Sequence, residues 1–177
     1  MKNIKTTLGV LATALMLSAG AHAVQKNITV TADIDPTIDL LQADGSALPT
    51  SIALTYNPVG GLQDYTINTK IYTNDTDKDV IMQLVTTPML THTTDSTEQI
   101  ELAVTYNGIP VTDTPWTAGD LDKSVAFNTQ DTGASISMPL VIGPAVAADT
   151  VDAKAGTYQG VVSMLVTQST QTVAPTP

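Results

Sequence analysis

Val24-Gln25-Lys26-Asn27-Ile28-Thr29-Val30-Thr31-Ala32-Asp33-Ile34-Asp35-Pro36 is the stretch on which the reading of this chain turns. From Ile28 onward apolar and polar residues alternate without a break. Ile28, Val30, Ala32 and Ile34 fall on one face, and Asn27, Thr29, Thr31, Asp33 and Asp35 on the other. A period of two is that of a half-buried β-strand. Pro36 carries no N–H and fixes its own φ, so it is expected to act as a hinge that separates this strand from the rest of the chain.

The residues ahead of the strand read as a secretory leader, 1–23. Lys2 and Lys5 supply a charged start, residues 8–17 an apolar run, and Ala21-His22-Ala23 the small residues needed for cleavage between Ala23 and Val24. The apolar run falls short of the roughly 20 residues that span a bilayer. Cleavage would make the alternating strand, 24–35, a free N-terminal arm with one greasy face and no preceding element to pair with. Such an arm needs a groove to lie in.

Removing 23 residues from 177 leaves 154, enough for one domain with a real core. The leader holds no acid and two of the seven lysines, so five lysines face seventeen acids in the mature chain, a net charge of −12. There is no arginine. A strongly acidic chain without arginine lacks the groups that neutralise phosphates, which argues against nucleic acid as a partner. Cysteine is absent, so stability must come from the core and from partners, not from disulfides. Thr, Val and Ile dominate over aromatics, a β-sheet composition.

Turn signals divide the remainder into short β-rich runs. Residues 37–42 form a first strand that turns at Asp44-Gly45, residues 51–56 alternate with Ile52, Leu54 and Tyr56 on one face, and residues 62–73 carry Tyr65, Ile67, Thr69 and Ile71 in period two. The acidic turn 74–79 lacks the glycine and the closing glutamate of a calcium loop and is expected to be an ordinary hairpin turn, with no metal. A strand is expected over 80–85. His92, alone after cleavage, sits in a polar stretch, 91–99, and is expected to face solvent in a loop. With no Ser-His-acid spacing to match it, no enzyme activity and no cofactor are expected.

Asn107-Gly108, between the β-rich runs 100–106 and 109–112, predicts a hairpin with a type I′ turn. Trp116 and Phe127 are expected to anchor the irregular stretch 113–131 onto the core, the alternative being an exposed Trp116 on a partner surface. Residues 134–142 read as a strand whose Pro139 points to an edge position or a bulge. The alanine-rich link 145–155 has room for a single helical turn. The last strand, 156–167, places Tyr158, Gly160, Val162, Met164 and Val166 on one face, while Val161 and Leu165 make the other unusually apolar. Residues 168–177 look like a frayed tail.

About seven strands without helices to cover a parallel sheet predict an all-β, immunoglobulin-like antiparallel β-sandwich over 36–167. Such a sandwich needs one more strand beside its last one, and the spare strand lies at the other end of the chain. Both facts are met if the arm of one molecule, through Ile28, Val30, Ala32 and Ile34, fills an acceptor groove along Tyr158, Gly160, Val162, Met164 and Val166 of another; this is the donor-strand mode of chaperone-assembled pilins. Three buried β-branched residues and one alanine contribute on the order of 5 to 10 kcal/mol before entropy is counted. A head-to-tail contact of this kind does not close and yields an open filament.

The residues also resemble a known family. Residues 24–32, Asp35-Pro36, residues 38–49, Leu54-Thr55-Tyr56-Asn57-Pro58, Tyr72-Thr73-Asn74-Asp75 and residues 155–163 are similar to the class 5 (alpha-clade) major pilins of chaperone-usher fimbriae, the colonisation-factor pilins of enteric bacteria. The resemblance implies a sandwich lacking its last strand and a structural role as major subunit of an adhesive fimbria. It implies export through the periplasm to the cell surface, with a periplasmic chaperone, an outer-membrane usher, a tip adhesin and identical subunits as partners. The alternative is an adhesive minor or tip subunit that binds host glycan or protein, but the mature length leaves room for only one domain. Members of the family end within a few residues of the last strand, whereas this chain continues through 168–177.

Overall fold

In the computed structural model the described residues are 29, 31–32, 37–117, 119–127, 133–146 and 153–170. They fall in two units, Met1–Ile34 and Asp35–Pro177. In the first, Thr29, Thr31 and Ala32 are exposed and form no regular structure; Ala23, Val24, Ile28, Val30 and Ile34 lie outside the described residues, as does Pro36 of the second.

The second unit is built from antiparallel strands throughout. Its main sheet runs β1 (Ile38–Gln42), β4 (Tyr65–Thr73), β9 (Met138–Pro144), β7 (Asp95–Tyr106), β6 (Met89–His92) and β10 (Tyr158–Gln159), with β8 (Ile109–Val111) paired to β7. A second layer pairs β5 (Val80–Leu84) with β11 (Met164–Gln168), and β2 (Tyr56–Asn57) pairs with β3 (Gly61–Leu62). The period-two reading carries through to burial. Thr69 and Ile71 of β4, Val80, Met82 and Leu84 of β5, and Met138, Leu140 and Ile142 of β9 all point inward. All of these but the polar Thr69 join Leu40, Leu102, Val104 and Tyr106 in one hydrophobic core. At its centre the ring of Tyr106 packs beside Trp116, centroids 6.4 Å apart, and burial pushes the Tyr106 hydroxyl up to about 12.

The Asn107-Gly108 hairpin is as expected, with φ of 51° and 80° at the two central residues. Trp116 is buried and donates from Nε1 to the Pro110 carbonyl at 2.8 Å, and Phe127 packs against the core's edge. The irregular stretch around them satisfies the outer edge of β5, since the Met82 carbonyl accepts from Trp116 N and the Leu121 carbonyl from Val80 N. A short helix, α1 (Lys123–Ala126), is capped by the Asp122 carboxylate accepting from Ser124 N at 2.7 Å.

Five expectations are corrected. His92 is buried, not in a solvent-facing loop, because the polar stretch after it turns and returns as β7, making a hairpin with β6. Pro139 is in a central strand between β4 and β7. It is tolerated because its carbonyl meets Asn107 N, just past the last β7 pair, so the missing N–H faces the end of the ladder. The acidic turn 74–79 does not close a hairpin; it carries the chain from β4 in one sheet to β5 in the other. The last strand is two strands: β10 adds to β6, residues 160–163 cross over, and β11 adds to β5. Residues 51–55 alternate in burial as read, with Ile52 and Leu54 inward, but form no ladder, and Tyr56 is exposed. The link at 147–152 and residues 171–177 of the tail lie outside the described residues.

Candidate subunit-docking groove

The unpaired segment and the crossover face each other. Residues 48–56 on one side and 153–164 on the other border an open groove of about 1270 Å³, floored by the main sheet through Ile67, Ile100, Leu102, Leu140 and Ile142. Among the described residues, segments 48–55 and 160–163 belong to no strand, and Thr50 forms a bend. The few backbone bonds they make go elsewhere: Gln63 N donates to the Thr55 carbonyl, and Val85 N to the Ser163 carbonyl. Facing backbone edges without ladder partners, above an apolar floor, define the space of one missing strand.

Tyr158, Gly160, Val162 and Met164 line this groove. Val166 lies further along β11, opposite Met82, half-buried against the core beyond the lining. Val161 and Leu165 point outward, 76% and 46% exposed. The wall at 48–55 is not singled out by the sequence as part of the site. Its signal is the alternation of Ile52 and Leu54, which has the form of a strand but does not reveal that the partner is missing.

Gly160 sets how closely the crossover approaches the sheet. A Cβ built there would overlap the Met89 carbonyl oxygen, an atom of backbone that cannot rotate away. Gly160→Ala is therefore expected to force β10 off β6, costing about 1 to 3 kcal/mol and widening the groove. Chemical denaturation of the mature chain measures the loss.

The end of the groove near β10 is held by polar contacts. His92 Nδ1 accepts from Thr94 N at 3.2 Å, which puts the ring proton on Nε2, 3.4 Å from the Ala155 carbonyl. The Tyr158 ring stands edge-on to His92, centroids 5.0 Å apart, and its hydroxyl donates to the Lys154 carbonyl at 2.9 Å. The Lys154 ammonium bonds Asp95 Oδ2 at 3.1 Å. Hydrogen bonds from the Thr97 hydroxyl, then Lys154, hold the Asp95 carboxyl down to about 2, and Asp95 in turn raises Lys154. Among the described residues no three His, Cys, Asp or Glu side chains are placed to hold a metal ion.

By comparison with known proteins, this open immunoglobulin-like sandwich falls in the class of fimbrial pilins. The chain belongs to the family described as CS1 type fimbrial major subunit, whose sequence profile matches residues 24–167. It is 41% identical to a CS1 fimbrial subunit of Escherichia coli over 169 residues, 94% of this chain and 99% of that one. It is also 41% identical to a CFA/I fimbrial subunit of Escherichia coli O78:H11, strain H10407, over 167 residues, 92% of this chain and 96% of the relative. The solved CooA pilin subunit from enterotoxigenic Escherichia coli superposes with a TM-score of 0.66 at 40% identity, covering 76% of this chain and 88% of that one. The protein is a structural subunit of a surface fimbria.

Proposed function

We propose that the subunits join through the arm. In this reading residues 1–23 are a cleaved leader, 24–35 the donor strand, 36–167 the pilin domain and 168–177 a tail. Ile28, Val30, Ala32 and Ile34 of one subunit occupy the groove of the next, with Pro36 as the joint. The carrying observation is the facing pair of unpaired edges, 48–55 and 160–163, above an apolar floor. One added strand would complete both ladders and cover the floor in a single step, which is β-augmentation from a neighbouring chain. The family match begins at Val24, in keeping with cleavage after Ala23.

Until a neighbour's arm arrives, an exported subunit with this groove open presents apolar surface and strand edges together, a template for aggregation. A periplasmic chaperone would cover it, an outer-membrane usher would exchange chaperone for arm, and a tip adhesin would occupy the end of the filament. The chain itself carries no catalytic role. Purified mature fimbriae are expected to run in unboiled detergent as a ladder of multimers and to collapse to a single monomer band on boiling, because the subunits are joined by a buried but non-covalent strand. A single monomer band before boiling would count against the reading.

A further inference from the structure

Building on that reading, we propose that Lys154 is the residue that sets the direction and register of the incoming arm, by receiving the acids at its C-terminal end. Among the described residues that line the groove, Lys154 is the one charged side chain. The arm is polarised, with Lys26 near its start and Asp33 and Asp35 at its end.

The lengths match. From Ile28 to Ile34 the arm spans six residue steps, about 20 Å of extended chain, and the groove wall from Tyr158 to Met164 also spans six. An arm laid antiparallel to that wall brings Ile34 level with Tyr158, so Asp33 and Asp35 arrive beside Lys154. Their outward-facing carboxylates then meet an ammonium at the groove's lip. At the opposite end Lys26 passes beyond Met164 toward Gln168, whose side chain donates to the Asp75 carbonyl in the turn that holds Asp75, Asp77 and Asp79. Lys78 and Lys123 neutralise part of that turn, through the Lys78–Asp75 ion pair at 3.0 Å and Lys123 Nζ donating to the Asp77 carbonyl at 2.9 Å; acids remain in excess.

A parallel arm would reverse every pairing. Lys26 would face Lys154, and Asp33 and Asp35 would approach the acidic turn. Asp95 and Glu98 also stand near Lys154, and Asp95 takes one of its donors. Acids outnumber lysines at both ends of the groove, so net charge does not choose the direction; the two ammonium donors left on Lys154 do, because an arm carboxylate can accept them and Lys26 cannot. Antiparallel placement is also what the last strand of an immunoglobulin sheet adopts beside its neighbour.

The chain has no cysteine, so introduced pairs report cleanly. In fimbriae assembled from the full chain, Asp33→Cys with Gln159→Cys is expected to form a disulfide-linked ladder. Asp33→Cys with Ser163→Cys, which would sit opposite each other only in the parallel arrangement, is expected to stay monomeric on boiling without reductant. Lys154→Glu is expected to slow assembly about 3- to 10-fold, and adding Asp33→Lys and Asp35→Lys to it should restore the rate. Asp95→Asn removes the same internal ion pair but keeps the ammonium, and is expected to slow assembly less than Lys154→Glu does.

A ladder from the Ser163 pair, a native rate for Lys154→Glu, failure of the lysine rescue, or equal slowing by Asp95→Asn would each overturn the role of Lys154. Absence of a ladder from both cysteine pairs would overturn the arm-in-groove reading as well. A Gln159 ladder with a native rate for Lys154→Glu would remove only the charge selection.

Discussion

Deleting residues 24–35 from the mature chain is expected to abolish filaments while leaving a folded or chaperone-held monomer. The described core lies within the unit Asp35–Pro177. What goes is the strand that would complete the edges at 48–55 and 160–163 of the next subunit. The loss is on the order of 5 to 10 kcal/mol of apolar burial per junction, together with the ladder bonds. Electron microscopy of the cell surface, with the periplasmic subunit followed by immunoblot, separates failed assembly from failed folding. Filaments of normal length would contradict the account.

The second large effect is a single charge placed on the arm's apolar face. Val30→Asp loses about 1.5 to 3 kcal/mol of burial and must also desolvate a carboxylate above a floor of Leu and Ile, at a cost of several kcal/mol. A combined penalty of about 4 kcal/mol or more corresponds to roughly 1000-fold in the exchange equilibrium. Thr29→Asp, one residue away on the polar face, should shift it by about 0.5 kcal/mol or less. The measurement is competition between variant and native subunits for incorporation. The contrast between adjacent positions is the informative part, since a general effect of added charge would act on both alike.

The local devices of this fold are legible from the chain because each rests on neighbouring residues. Asn107-Gly108 dictates its own positive φ values, and the alternation of β4, β5 and β9 declares their inward faces. The same logic exposes the face of Tyr158, Gly160, Val162 and Met164. What depends on the partner of a strand is not legible. Residues 51–55 have the pattern of a strand and form none, because no edge is there to pair with them. Period two runs unbroken through 158–166, so nothing in it marks the crossover from β6 to β5; the sign of that approach is Gly160, which lets the chain pass against Met89. His92 reads as a loop residue because its neighbours are polar, yet Thr94, Tyr158 and the Ala155 carbonyl enclose it. Lys154 lies in the sequence among alanines, and only the folded chain brings it to Asp95 and to the groove's lip.

Hydrogen exchange on assembled fimbriae tests the central claim most directly. If the arm of each subunit lies in the groove of its neighbour, amides at 28–34 should be as protected as those of core strands, and protection should appear with assembly at 48–55 and 160–163 as well. Arm amides that exchange in the intact filament at the rate of free chain would contradict the account.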